Sequence, residues 1–315
     1  MNYLSYLGLN FLSIIIMILV LLLGVAFLTL LERKMLGYVQ NRKGPNKLGF
    51  IGLLQPFSDA IKLYSKELFV IFKSNKYMYY LCPLVSFMMM MMIWMIFPYI
   101  TNLYSMNYSL LVMILIMSIS GYVLLLMGWS SNSIYSMLGA LRSVSQALSY
   151  EVSFIFIVMI LMLLSESYSL VDLNKWQIYM NNLIFMFPVF LMFFLSVLAE
   201  LNRTPMDFIE GESELVSGFN IEYFSGSFAL IFMGEYGMII FFSMLMSIMF
   251  MKILYIFIMF VYINIFIVMI IMMRGLLPRM RYDELMYLCW KIILPLVLSY
   301  FLMFMIFKVL FMMIL

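Results

Sequence analysis

The 315-residue sequence has no histidine, only two cysteines, and few charges: 18 Lys and Arg, 15 Asp and Glu. Without histidine there is no His-ligated haem, no His-bearing zinc site and no Ser–His or Cys–His nucleophile. Cys82 and Cys289 stand far apart and form no CxxC pair, so the chain alone does not carry an iron–sulfur cluster. Charged residues make up 10% and hydrophobic residues 66%, against about 25% charged in soluble domains. That composition leaves too little polar surface for a water-soluble enzyme, a secreted disulfide scaffold or a disordered tail. No GxGxxG or GxxxxGK[ST] run marks a nucleotide site.

Methionine (37), phenylalanine (30) and tyrosine (22) are abundant, whereas glycine (15) and proline (8) are scarce. Codon bias in an AT-rich genome produces this pattern. Methionine as a flexible core filler accounts for part of it. Asn2 to Leu31 carries no charge, unlike an Arg-rich transit peptide. The expectation is an organelle-encoded protein inserted from inside.

A membrane-spanning helix needs about 20 apolar residues. Eight stretches qualify: Leu4–Leu31, Tyr77–Ile100, Met106–Met127, Ser149–Leu164, Leu183–Leu201, Phe228–Met251, Ile253–Met273 and Met286–Met312. The uncharged run from Tyr77 to Leu141 is read as two spans turned near Pro98 and Asn107, and Lys252 divides the block from Phe228 to Met273. The expected fold is a single integral membrane domain over residues 1–315, all-α, with eight transmembrane helices. Loops one, three, five and seven hold nine, one, one and four Lys or Arg residues, while the opposite side keeps only Lys175, Lys252 and Lys308. By the positive-inside rule the odd loops face inward and both termini lie outside.

In the first inner loop, Pro56 suits a first helical turn, and Phe57, Ile61, Tyr64 and Leu68 fall on one face opposite Asp59, Lys62 and Lys66. This is an amphipathic helix on the membrane surface, either a plain anchor or part of a site. The fifth segment, Glu200 to Glu214, sets five carboxylates (Glu200, Asp207, Glu210, Glu212, Glu214) around one cation, Arg203. Thr204 and Pro205 predict a short helix starting there, with Asp207 and Glu210 on one face and a bend at Gly211. Crowded carboxylates repel unless some are protonated or solvated, and a solvated acidic loop fits the same run. Glu151, expected to open the fourth span, and Glu235, about two turns into the sixth, are harder to place. Intramembrane acids are costly and by default mark an ion or proton route, although Glu151 also fits an interfacial helix start.

Two runs carry a resemblance. Gly52-x-x-Gln55-Pro56-Phe57-x-Asp59-Ala60-x-Lys62-x-x-x-Lys66-Glu67 is one. Asn202-Arg203-Thr204-Pro205-x-Asp207-x-x-Glu210-Gly211-Glu212-x-Glu214-Leu215-x-x-Gly218 is the other. Both closely resemble signatures of the subunit 1 family of respiratory complex I. Leu31–Lys34 with Arg42–Asn46, Gly128–Asn132, Arg142 through Glu151, Phe219-Asn220-x-Glu222-Tyr223 and Pro278-Arg279-x-Arg281-Tyr282-Asp283 follow in the same order. Met206 and Ile209 depart from that family's usual Phe and small residue.

The resemblance implies a core membrane subunit of a proton-pumping complex in the mitochondrial inner membrane, with both termini on the intermembrane-space side. It implies part of a ubiquinone cavity, whose candidate residues are Arg33, Arg42, Asp59, Lys62, Phe232 and Arg279. It also implies a coupling route through Glu151, Glu200, Arg203, Asp207, Glu210, Glu212, Glu214 and Glu235. Ubiquinone is then the substrate, and this chain alone binds no cofactor, metal or NADH. FMN and iron–sulfur clusters are expected in partner subunits. Partners are quinone-facing peripheral-arm subunits on the matrix side, small membrane subunits, antiporter-like subunits and lipids, without nucleic acid. Two other readings stay open. A stand-alone cation/proton transporter uses the same acids, although no internal repeat or paired broken helices appear. The membrane subunit of a proton-pumping hydrogenase keeps the fold without the quinone.

Overall fold

The computed structural model describes residues 3–98, 106–178, 180–207, 222–253 and 255–314. They form α1 (Tyr3–Val39), α2 (Gln55–Tyr64), α3 (Lys76–Ile93), α4 (Ser109–Ser131), α5 (Ile134–Ser165), α6 (Leu170–Trp176) and α7 (Asn182–Phe185). There follow α8 (Phe187–Glu200), α9 (Ser225–Phe250), α10 (Ile256–Leu276), α11 (Tyr282–Tyr287) and α12 (Leu294–Ile314). The described residues include no strand. Among the described residues, seven helical stretches are long and apolar enough to cross a membrane, and α8 is a shorter apolar helix. The chain is thus an all-α polytopic membrane protein, and each of the eight expected spans corresponds to a helix.

The ends differ where the physics of helix breaking differs from that of hydropathy. Helix α1 runs on through Glu32, Arg33 and Lys34, because charge alone does not stop a helix, and it ends at Val39, just before left-handed Asn41 (φ 54°). Helix α5 starts at Ile134 rather than Ser149. Its bounds are set by left-handed residues, Asn132 (φ 52°) before it and Glu166 (φ 54°) after it, with Ser133 capping the Ser136 amide. Glu151 therefore sits mid-helix and does not open a span, and Arg142 lies on α5 rather than in a loop. The expected fifth span is broken: α7 ends at Phe185 and α8 restarts with Pro188 in its first turn. Helix α2 forms as expected with Pro56 in its first turn, but stops at Tyr64, so Leu68 lies beyond it. A π-helical turn, Leu288–Ile293, joins α11 to α12.

Helix α9 is the axis of the bundle, packed against α1, α2, α3, α6 and α10. Phe241, Phe242, Met244 and Phe250 are fully buried along it. Helices α4 and α5 approach closely because Gly128 has no side chain; a Cβ there would stand 2.3 Å from that of Ala140. Serines throughout the apolar helices close their hydroxyls onto carbonyls one turn back, as Ser143, Ser153, Ser196, Ser243 and Ser247 do at 2.6–2.9 Å. No donor is then left facing hydrocarbon from these residues.

The C-terminus of α9 needs partners for its last carbonyls. Fully buried Gln177 donates from Nε2 to Ile248 O (3.1 Å) and to Met249 O, and Asn182 Nδ2 donates to Met249 O at 3.0 Å. Gln177→Leu would strand the Ile248 carbonyl and is expected to cost about 1–3 kcal/mol. The check is a lowered midpoint of thermal inactivation; an unchanged midpoint would show that α6 does not hold α9.

Candidate functional site

Between α1, α2, α9 and α10 lies a cleft of about 410 Å³. The chain can fold α2 back onto α1 because Gly52 takes a left-handed conformation (φ 81°), where a Cβ would meet Pro45 O at 2.1 Å. Leu22, Val25, Ala229, Phe232 and Met233 make apolar walls. At the rim Arg33 Nη1 donates to Asp59 Oδ2 at 2.6 Å, and Gln55 Nε2 to Asp59 Oδ1 at 3.0 Å. Both partners of that ion pair are substantially exposed.

The inner end of the cleft is ionic and closely packed. Buried Glu32 accepts a hydrogen bond from Tyr236 Oη (2.6 Å), forms an ion pair with Arg274, and lies 3.9 Å from Arg203 Nη1. Arg203 Nη2 lies 3.6 Å from Glu235 Oε2, and its guanidinium carbon lies 4.6 Å from the centroid of the Tyr236 ring. That is cation–π distance. Burial works against the charge on Arg203, yet Glu235 and Glu32 outweigh it and hold the group above the usual arginine range.

Arg203 owes its position to the turn after α8. Asn202 is left-handed (φ 49°), the Met206 amide bonds back to Arg203 O (2.8 Å), and the Thr204–Pro205 peptide is cis. Gln146 on α5, fully buried, donates to Ala199 O and Met206 O, both at 2.9 Å, and so clamps the turn from both sides. Met280 N adds a bond to Pro205 O. The helix expected to begin at Thr204 does not form over residues 204–207. The Thr204 hydroxyl is buried without a hydrogen-bond partner and caps nothing, and residues 203–206 close a turn instead.

A second cavity, about 120 Å³, lies among α3, α4, α5, α8 and α9. Glu235 and Glu200 both line it, with Asn202, Ser86 and Ser120 as further polar groups and methionines as walls. It is roomy and polar enough for ordered water by the usual criteria. Tyr236 lines the large cleft and its neighbour Glu235 the inner cavity, so adjacent residues of α9 face different spaces. Arg203 contacts both of these residues.

Among the expected quinone-side residues, Arg33, Asp59 and Phe232 line the cleft. Arg42 and Lys62 are exposed outside it. Arg279 lies apart, 3.8 Å from buried Asp207. Of the coupling residues, Arg203 pairs with Glu235, and Glu235 and Glu200 line one cavity, while Glu151 stands apart on α5; Glu210, Glu212 and Glu214 lie outside the described residues. Sequence reasoning passed over Glu32, Arg274, Tyr236 and Gln146. The signal for Glu32 was a carboxylate ending an apolar run in front of two cations. For Gln146 it was a lone amide in a stretch otherwise suited to a bundle interior.

A family model described as NADH dehydrogenase matches residues 12–305. The chain is 50% identical over 293 residues to NADH-ubiquinone oxidoreductase chain 1 of Locusta migratoria, covering 93% of this chain and 92% of that one. It is 49% identical over 293 residues to the protein of that name from Aedes aegypti, covering 93% and 94%. Against the one from Anopheles gambiae it is 49% identical over 298 residues, covering 94% and 95%.

Proposed function

The chain belongs to the NADH dehydrogenase family, and on that premise we propose that it is a membrane subunit of a proton-pumping NADH:ubiquinone oxidoreductase. In this reading it sits in the mitochondrial inner membrane as a single integral domain, odd loops in the matrix and both termini in the intermembrane space. The cleft between α1, α2 and α9 receives ubiquinone. Electrons arrive from FMN and iron–sulfur clusters held by peripheral-arm partners, while small and antiporter-like membrane subunits and lipids cover its flanks. The name shared by the relatives, with ubiquinone in it, favours this over the hydrogenase reading.

The observation that carries the proposal is the position of Arg203. One guanidinium faces Tyr236 and Glu32 at the end of an apolar cleft and Glu235 at the edge of an inner carboxyl-lined cavity. Apolar walls with few convergent polar groups suit an isoprenoid quinone. Reduction to quinol takes up two electrons and two protons. Proton uptake at the cleft changes the charge balance around Arg203, and Glu235, its partner on the far side, feels that change directly. From Glu235 the shift passes across the inner cavity to Glu200 and on to Glu151. Asp207 and the acids Glu210, Glu212 and Glu214 supply the inner-surface end of the route.

The rim tests the quinone side. Asp59→Asn removes the partner of Arg33, an exposed pair worth about 0–1 kcal/mol in stability, so the enzyme should assemble normally. Quinone reductase is expected to show a KM raised roughly fivefold, about 1 kcal/mol, with NADH oxidation by a hydrophilic artificial acceptor unchanged. Equal loss of both activities, or unaltered quinone kinetics, would overturn the assignment.

A further inference from the structure

A third cavity, about 610 Å³, opens at the other end of the bundle, where α5 and α12 meet the α6–α7 segment. None of its lining residues belongs to the site described above. Leu163, Leu164, Phe185, Phe304 and Phe307 make the inside apolar, and Phe185 and Phe304 meet edge to face at 5.9 Å. Trp176, partly exposed, stands in the wall, where an amphipathic ring matches the level of lipid headgroups.

Lys308 sets the chemistry. It lies two turns before the end of α12 in an otherwise apolar helix, and its side chain is only 29% exposed. Nζ donates to Leu163 O at 3.0 Å, in the last turn of α5, and lies 3.0 Å from Glu166 Oε1. A lysine has three donors, so these two leave one for a ligand. Glu166 is held in place as the left-handed C-cap of α5, its side chain 61% exposed. Nearby Lys175 and Asp172 pair with each other at 2.9 Å, so this end of the bundle carries balanced charge.

We propose that this cavity binds one zwitterionic phospholipid, its phosphate on Lys308, its amine on Glu166 and an acyl chain along Phe304, Phe307 and Leu164. The volume falls in the ordinary range for small-molecule sites, about 300–1,000 Å³. Charge complementarity chooses the occupant. A cation and an anion side by side at the rim of a hydrocarbon-lined cavity mirror an ethanolamine headgroup. An anionic lipid would meet Glu166, and an apolar helix from a partner would bury the pair without satisfying it. Lysine reaching along a helix toward the headgroup layer is the usual behaviour of that side chain in membranes.

The test is photolabelling in native membranes with phosphatidylethanolamine bearing a diazirine on its acyl chain, with labelled peptides mapped by mass spectrometry. Label is expected on peptides spanning residues 163–166 and 304–308, lost on competition with unlabelled phosphatidylethanolamine but not with phosphatidylglycerol. Lys308→Met should reduce that label at least fivefold and Lys308→Arg should retain it. Glu166→Gln, at an exposed carboxylate with no folding role beyond its backbone, should let phosphatidylglycerol compete. Unlabelled wild-type peptides, equal labelling in Lys308→Met, or equal competition by both lipids in the wild type would each overturn the proposal. None of these outcomes depends on the quinone assignment, because the readout is lipid contact.

Discussion

Glu235→Gln in the assembled enzyme is expected to lower coupled quinone reductase turnover by one to two orders of magnitude. The substitution keeps the shape and a hydrogen-bonding oxygen but removes the titratable charge that faces Arg203. Positioned acid–base groups contribute roughly 10²–10⁴-fold to the steps they serve, and a relay that retains Glu200 and Glu151 should lose less than that full amount. Glu32 still faces Arg203 from the other side, so the cluster should stay folded. Glu222→Gln serves as the comparison, because the Glu222 backbone carbonyl, rather than its carboxylate, receives the Tyr79 hydroxyl. It should stay within about twofold of the wild type, well under 1 kcal/mol in barrier height. The measurement is quinone reductase rate together with proton pumping in sealed vesicles. Normal rate and pumping in the Glu235 variant would reduce the inner cavity to a packing feature.

Glu32→Gln is expected to act on assembly before it acts on turnover. Glu32 is the shared counter-ion of two arginines and the acceptor for Tyr236. An amide keeps the acceptor but leaves Arg274 without its ion pair. Breaking one side of a buried ionic cluster costs about 3–5 kcal/mol, a large part of the roughly 5–15 kcal/mol that holds a folded chain. The expected result is a marked loss of assembled enzyme on native gels and a lowered thermal-inactivation midpoint in what remains. Adding Arg274→Gln to the same chain removes the stranded cation and should recover part of the loss, a coupling that only direct neighbours show. Wild-type assembly and an unchanged midpoint in Glu32→Gln would mean that the cluster is not structural.

Much of the fold was legible because hydrophobic length and charge position are one-dimensional signals. Lys252 does separate α9 from α10, and Pro56 does start α2. Helix ends were not legible where hydropathy and helix formation part company: α5 continues through Arg142 and Gln146 because neither breaks a helix. The Thr204–Pro205 pair matched a helix start in pattern, but in the fold the carbonyls of Pro205 and Met206 are taken by Met280 and Gln146, contacts that no local pattern announces. The site was half legible. Acids in apolar runs pointed to Glu235 and Glu151 and the acidic inner segment to Glu200, but Glu32 and Arg274, 242 residues apart in sequence, meet only once α1 and α10 are packed together.

The short α8 has an electrical consequence. Its 14 residues rise about 21 Å, against roughly 30 Å of hydrocarbon in a bilayer. Glu200, its last residue, lines the inner cavity, so the insulating layer between that carboxyl group and the opposite face is thinner than the bilayer around it. A membrane potential dropped over a thinner layer is a steeper field, and a full crossing is worth about 2.3 kcal/mol per elementary charge per 100 mV. In the proposed coupling route a proton exchanged at Glu200 would thus cross only part of the potential, and its affinity there would follow the voltage as well as the pH.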